Sequence, residues 1–337
     1  MSPPYEYEAP ESPENSRKPE NPPPVDPDEL ALRNGRVHIS ARQRSTDTTA
    51  LGNLALHVPH VILSLGVVFL LSYAVDALAG VPSWAPVSCW ALSGALAFHQ
   101  PSERAMARWL FGLRYPTPDE RQRLKPVWQE VTARAGVDGN AYQLWVEDSD
   151  DINAMAAAGH IVGVTSHSLA ELPTAQLGGV LAHELGHHTS GHAWVSLLTY
   201  WYALPGRLAW RLVRRLASYA DRLSVGVAAV LLGLIGASAV ALATATYGLV
   251  FLPLVTPYLV AAVSRRSELR ADEHAAALGF APQLMAVLAR EHGREHASAM
   301  SRGLHVERPG MIARLLASHP DVHTRLHHLQ AHLDGLR

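Results

Sequence analysis

The sequence predicts a mainly α fold with a small β-sheet, set in a membrane as a multi-span helical protein. Three observations predict it. Charged residues make up only 17% of the 337, against roughly 25% in an ordinary soluble domain. The charge is also segregated: residues 48–102 carry Asp76 alone, and residues 223–264 carry no charge. Between and after these stretches the chain is polar and reads as helices interrupted by short β-branched runs.

Residues 1–47 read as a disordered tail. Pro3, Pro4, Pro10, Pro13 and Pro22 to Pro24 recur among many acids with few large aliphatics, too little apolar surface to offset ordering entropy. A basic segment followed by an apolar core is lacking there, so the tail does not read as a signal peptide.

Residues 48–102 are expected to form a transmembrane hairpin. Residues 54–79 are long enough to span, since about 20 apolar residues suffice. Gly80, Val81 and Pro82 supply a turn, and residues 84–98 are a second, shorter apolar run. Arg42 and Arg44 precede the hairpin, and Arg104 and Arg108 follow it. The positive-inside rule then puts both ends in the cytoplasm.

Residues 103–204 read as the first part of a polar domain. Thr117, Pro118 and Glu120 have the spacing of a capping box with proline at the first helical position, opening a helix over 116–137. Residues 141–147 and 161–165 read as strands. Thr174 is expected to cap a helix running at least to His192. Residues 205–222 carry Arg207, Arg211, Arg214 and Arg215 beside aromatics, which suits the lipid headgroup boundary; a charged solvent face with no lipid role is the alternative. The 42 uncharged residues 223–264 would extend about 63 Å as helix, so a second hairpin is expected, with Pro253 and Pro257 kinking its return. One kinked span with a stalk is the alternative. Residues 265–337 read as a second polar part, with helices over 268–278, 282–291, 309–317 and 322–333.

A net charge of −2 argues against a dedicated nucleic-acid partner. The single Cys89 excludes an intrachain disulfide framework.

His183, Glu184, Leu185, Gly186 and His187 form H-E-x-x-H. On a helix, residues four apart share a face, so both imidazoles reach one metal. Glu184 sits one step round, placed to take a proton from water on that metal. Catalytic zinc of this kind needs a third ligand and an open fourth position. Glu268 can complete the set. Asp272, four residues on, can accept a hydrogen bond from a ligand imidazole and fix its tautomer.

These motifs resemble the HtpX-like family of membrane zinc metallopeptidases, gluzincins related to the CAAX prenyl protease and the Oma-type peptidases. Asn153-Ala154-Met155-Ala156 is similar to the family's Asn-Ala segment, His183 to His187 to its zinc helix, and Glu268 to Asp272 to its E-x-x-x-D element. Ser318-His319-Pro320 with Arg325 is similar to its late His-Pro and Arg element. The family often has an aromatic where Met155 stands.

The resemblance implies a gluzincin-type domain and one zinc ion per chain. It implies His183, His187 and Glu268 as zinc ligands, Glu184 as general base and then acid, and Asp272 as the residue that orients a ligand. Asn153 and Ala154 would bind substrate at an edge strand. His319 or Arg325 would shape the cleft or steady the oxyanion, or act structurally. It further implies a cytoplasmic-facing enzyme of a bacterial inner membrane, whose partners are the bilayer and unfolded or membrane protein substrates in quality control. The alternatives are a CAAX-type prenyl-protein protease and a non-catalytic metal-binding membrane sensor.

Overall fold

The structure is a computed structural model. It describes Leu30, residues 48–109, 111–157, 159–217, ten positions within 225–244, residues 252–301 and 320–335. The remaining tail, most of the expected second hairpin, the expected helix over 309–317, and Ser318 and His319 lie outside the described residues.

Helix α1 (Thr48–Ala79) runs for 32 residues, through Pro59, a length of about 48 Å. It ends where Gly80 adopts φ 66°, a left-handed conformation open to glycine, and donates its N–H to the Asp76 carbonyl at 2.8 Å. Asp76 Oδ2 also accepts from the Ser83 N–H at 3.2 Å, which closes the expected turn. Helix α2 (Trp84–Ser93) then packs back on α1. The two arms are unequal: α2 has 10 residues, about 15 Å, against a hydrocarbon core of about 30 Å. It passes into a 3-10 turn at Gly94–Phe98. Among the described residues α1 alone is long and apolar enough to cross a membrane, with mean hydropathy 2.2 over 18 residues.

After α3 (Gln100–Trp109) come β1 (Leu113–Arg114), α4 (Pro118–Ala135), β2 (Gln143–Glu147), β3 (Ala154–Ala157) and β4 (Ile161–Thr165). The sheet order is β1-β2-β4-β3. β2 and β4 are parallel, while β1 and β3 pair antiparallel at the two edges. Central β4 is buried along its whole length. Its alternate side chains feed two cores. Val162 and Val164 join Val146, Trp128 of α4 and Leu181 on one face; Ile161 joins Trp145, Leu113 and Ala107 on the other.

The capping box forms as expected: Thr117 Oγ1 accepts from the Glu120 N–H, and Glu120 Oε2 accepts from the Thr117 N–H at 2.8 Å. After α5 (Ser166–Glu171), helix α6 (Thr174–Thr189) departs from expectation at both ends. Its N-cap is Pro173 without a side-chain bond, so Thr174 is the first helical residue and not the cap. It stops at Thr189 because Gly191 takes φ 84°, a glycine C-terminal signal. His192 therefore begins a new helix, α7 (His192–Ala217).

α7 runs unbroken through Pro205, so the apolar and arginine-bearing stretches are one helix. It packs along α1 and the second arm. The Gly206 N–H donates to Ser64 Oγ at 3.0 Å, and Trp201 Nε1 donates to Ser93 Oγ at 2.8 Å. A Cβ on Gly94 would collide with the Tyr202 ring. Small residues and hydroxyls at such contacts let helices approach closely.

Helix α8 (Leu252–Ala277) also crosses an expected boundary, carrying the end of the apolar insertion straight into the polar domain. It packs on both α1 and α6. Helices α9 (Ala281–Ser301) and α10 (Val322–Gly335) close the far side.

Candidate metal centre

α6 and α8 meet through glycine. A Cβ on Gly186 would lie 3.1 Å from Ala271 Cα and 3.2 Å from His274 Cβ, so the absence of a side chain here lets α8 approach without displacement. The close approach brings Glu268 over the helical face that carries His183 and His187.

Glu268 Oε2 lies 3.5 Å from His183 Nε2, and Glu268 Oε1 lies 3.4 Å from His187 Nε2. One ligand atom from each of the three residues lies within 4.8 Å of the others. Two donors each 2.0–2.1 Å from one ion, at a tetrahedral angle, stand about 3.4 Å apart. The donor set, two imidazole nitrogens and a carboxylate oxygen, therefore fits zinc in size and kind.

The charge fits as well. Glu184, Glu268 and Asp272 are buried, and Asp272 is 0% exposed. Arg325, on α10, brings one cation to them. Three carboxylates still outnumber the Arg325 guanidinium and the imidazolium that His183 becomes without a metal, an excess of buried negative charge that a dication would offset. Burial works against charge on His183, but Asp272 and Glu268 outweigh it and push its pKa up to about 10.

Asp272 Oδ1 accepts from His183 Nδ1 at 2.8 Å, leaving Nε2 turned to the cluster. Arg325 holds Asp272 with both arms of its fork, Nη2 to Oδ1 at 2.6 Å and Nε to Oδ2 at 2.8 Å. Burial raises the Asp272 pKa, but Arg325 and His183 outweigh it and hold the carboxyl below the usual range. Arg325 was expected to shape the cleft, steady an oxyanion or act structurally; the structure places it behind His183.

A model of peptidase family M48 matches residues 118–333. The chain belongs to peptidase family M48. This is a family of zinc metallopeptidases, and the M48 match takes in His183, Glu184, His187, Glu268, Asp272 and Arg325. No curated protein sequence matches the chain. Among solved structures, Ste24p of S. mikatae is similar with a TM-score of 0.45 and 17% identity, over 78% of this chain and 62% of that one. The chain thus spans about 62% of that protein's length.

Asn153 immediately precedes β3, an edge of the sheet. Its N–H donates to Ser168 Oγ at 2.9 Å, its carbonyl accepts from the Thr165 N–H at 3.1 Å, and its Oδ1 accepts from the Ala154 N–H at 2.9 Å. The start of the edge strand is thereby fixed to β4 and α5. Its far end is fixed by Glu103 of α3, which sequence reasoning missed: the buried carboxylate accepts from the Gly159 N–H at 3.3 Å and pairs with His160 Nδ1 at 3.0 Å. A lone acid just after an apolar run carries no local signal of that role.

Among the described residues, the other histidines fall outside the centre. His188 Nε2 donates to the Ile161 carbonyl at 2.8 Å. His323 meets His292 edge to face with ring centroids 5.1 Å apart. Among the described residues the only candidate metal cluster is His183, His187 and Glu268.

Proposed function

We propose that this chain is a membrane-anchored zinc metalloendopeptidase. The observation that carries the reading is the meeting of α6 and α8 at Glu268, with 3.4 and 3.5 Å to the two imidazoles. His183, His187 and Glu268 would hold the ion. When bound, zinc supplies the Lewis acidity that polarises a peptide carbonyl and makes water a stronger acid.

The chain's own residues do the rest. Glu184, buried beside His183 on the same helix, takes the proton of the attacking water and returns it to the leaving amine. Asp272 keeps the His183 proton on Nδ1, and Arg325 keeps Asp272 in place. Edge strand β3, tied at both ends, offers its backbone to an extended peptide, so the substrate adds as a strand.

Insertion in a bilayer is supported by the surface of α1, whose apolar side chains face outward: Leu70 is 70% and Leu78 89% exposed. A core helix would bury them. The arginines of α7 suit anionic headgroups. On this reading, and on the HtpX-like resemblance, the substrates are unfolded or membrane proteins, and the site faces the cytoplasm.

The test is proteolysis of an unfolded protein by the detergent-purified chain. Cleavage should stop with a zinc chelator, return with zinc, and be lost in Glu184→Gln. Cleavage that continues in Glu184→Gln refutes the assignment of that residue.

A further inference from the structure

A pocket of about 190 Å³ opens beside the metal centre, with His187 and Glu268 in its wall. Three further elements complete it through Asn53 of α1, Ala156 of β3 and Ser196 of α7, and α8 adds Ser264. The volume is below the roughly 300 Å³ at which small-molecule sites begin, so it suits one side chain. The alanine and serines are short and leave the space open. Asn53 is the larger polar group, and its Oδ1 is buried with no hydrogen-bond partner among the described residues. Buried amide oxygens are ordinarily paired, and an exception calls for a partner.

We propose that this pocket is a substrate side-chain subsite read by Asn53, and that it takes a small neutral polar side chain: Ser, Thr, Asn or Gln. The proposal rests on the peptidase reading of the site. An aliphatic occupant would leave the Asn53 amide oxygen unpaired, which a polar pocket discriminates against. A carboxylate occupant would face Glu268, and a cationic one would face the metal. Helix α1 is then part of the cleft as well as an anchor.

The experiment uses the zinc-loaded full chain in detergent and dipeptide hydroxamates carrying Asn, Ser or Leu at each position next to the hydroxamate. Binding is read by competition, with no turnover required. At one position the wild type should bind the Asn or Ser compound about tenfold more tightly than the Leu compound. Asn53→Leu should abolish or reverse that ratio, and Asn53→Ala should reduce it, with zinc content as the check on folding. A wild-type preference for Leu, or a polar preference unchanged in both variants, overturns the subsite. Preferences that depend on Asn53 without cleavage of any peptide would uphold the subsite and refute the peptidase reading. Failure of any hydroxamate to bind sinks both.

Discussion

Arg325 grips Asp272 through two hydrogen bonds of 2.6 and 2.8 Å, and Asp272 in turn holds His183 at 2.8 Å. The chain guanidinium–carboxylate–imidazole fixes which nitrogen of His183 faces the cluster. Asp272→Asn is therefore expected to weaken zinc binding about ten- to a hundredfold, measured as zinc retention against a competing chelator. Arg325→Met leaves Asp272 buried without its cation and should cost about 3–5 kcal/mol of stability. Arg325→Lys keeps charge but loses the fork, and should fall between.

Gly186 sets the distance between the two helices. With 3.1 Å to Ala271 Cα, a side chain must push α8 away. Gly186→Ala should destabilise by about 1–3 kcal/mol, and Gly186→Val should also empty the metal centre as Glu268 withdraws. Thermal melting and zinc content on the same samples check both.

Part of this was legible in the sequence, and the reasons are local. H-E-x-x-H and the four-residue spacing of Glu268 and Asp272 are helical facts, so they survive translation into structure. Thr117 and Glu120 likewise signal their capping box. Arg325 and Glu103 act across 53 and 56 or more residues, where spacing carries no information. β3 reads Ala-Met-Ala-Ala, a poor strand by propensity; the resemblance alone pointed to it. Gly191 was an available stop signal, passed over because the apolar pattern continues into α7. The placement of Asn53 beside the metal centre follows from the packing of α1 on α8, which no pattern within α1 reveals.

Glu120 gives an acid limb to stability. Its hydrogen bond with Arg114 does most to lower its pKa from 4.5 to about 2, with help from Thr117. A carboxyl depressed in the folded state adds stability above about pH 4.5 and loses it as pH falls towards 2. Glu120→Gln should be less stable at pH 7 and show a flatter decline between pH 4.5 and 2.5. Circular dichroism melts of the two proteins across that range check the sign.

Glu103 ties α3 to the β3–β4 turn. Glu103→Ala removes the acceptor for the Gly159 N–H and the partner of His160, and should cost about 1–3 kcal/mol. If β3 is the substrate template, KM should rise more than kcat falls. Steady-state kinetics on an unfolded protein substrate separate the two.

The most direct measurement is zinc content, by elemental analysis of purified wild type, Glu268→Ala and Glu184→Gln. Near one zinc per chain is expected in wild type and Glu184→Gln, and a large loss in Glu268→Ala. Full zinc in Glu268→Ala, or none in Glu184→Gln, would contradict a centre built from His183, His187 and Glu268.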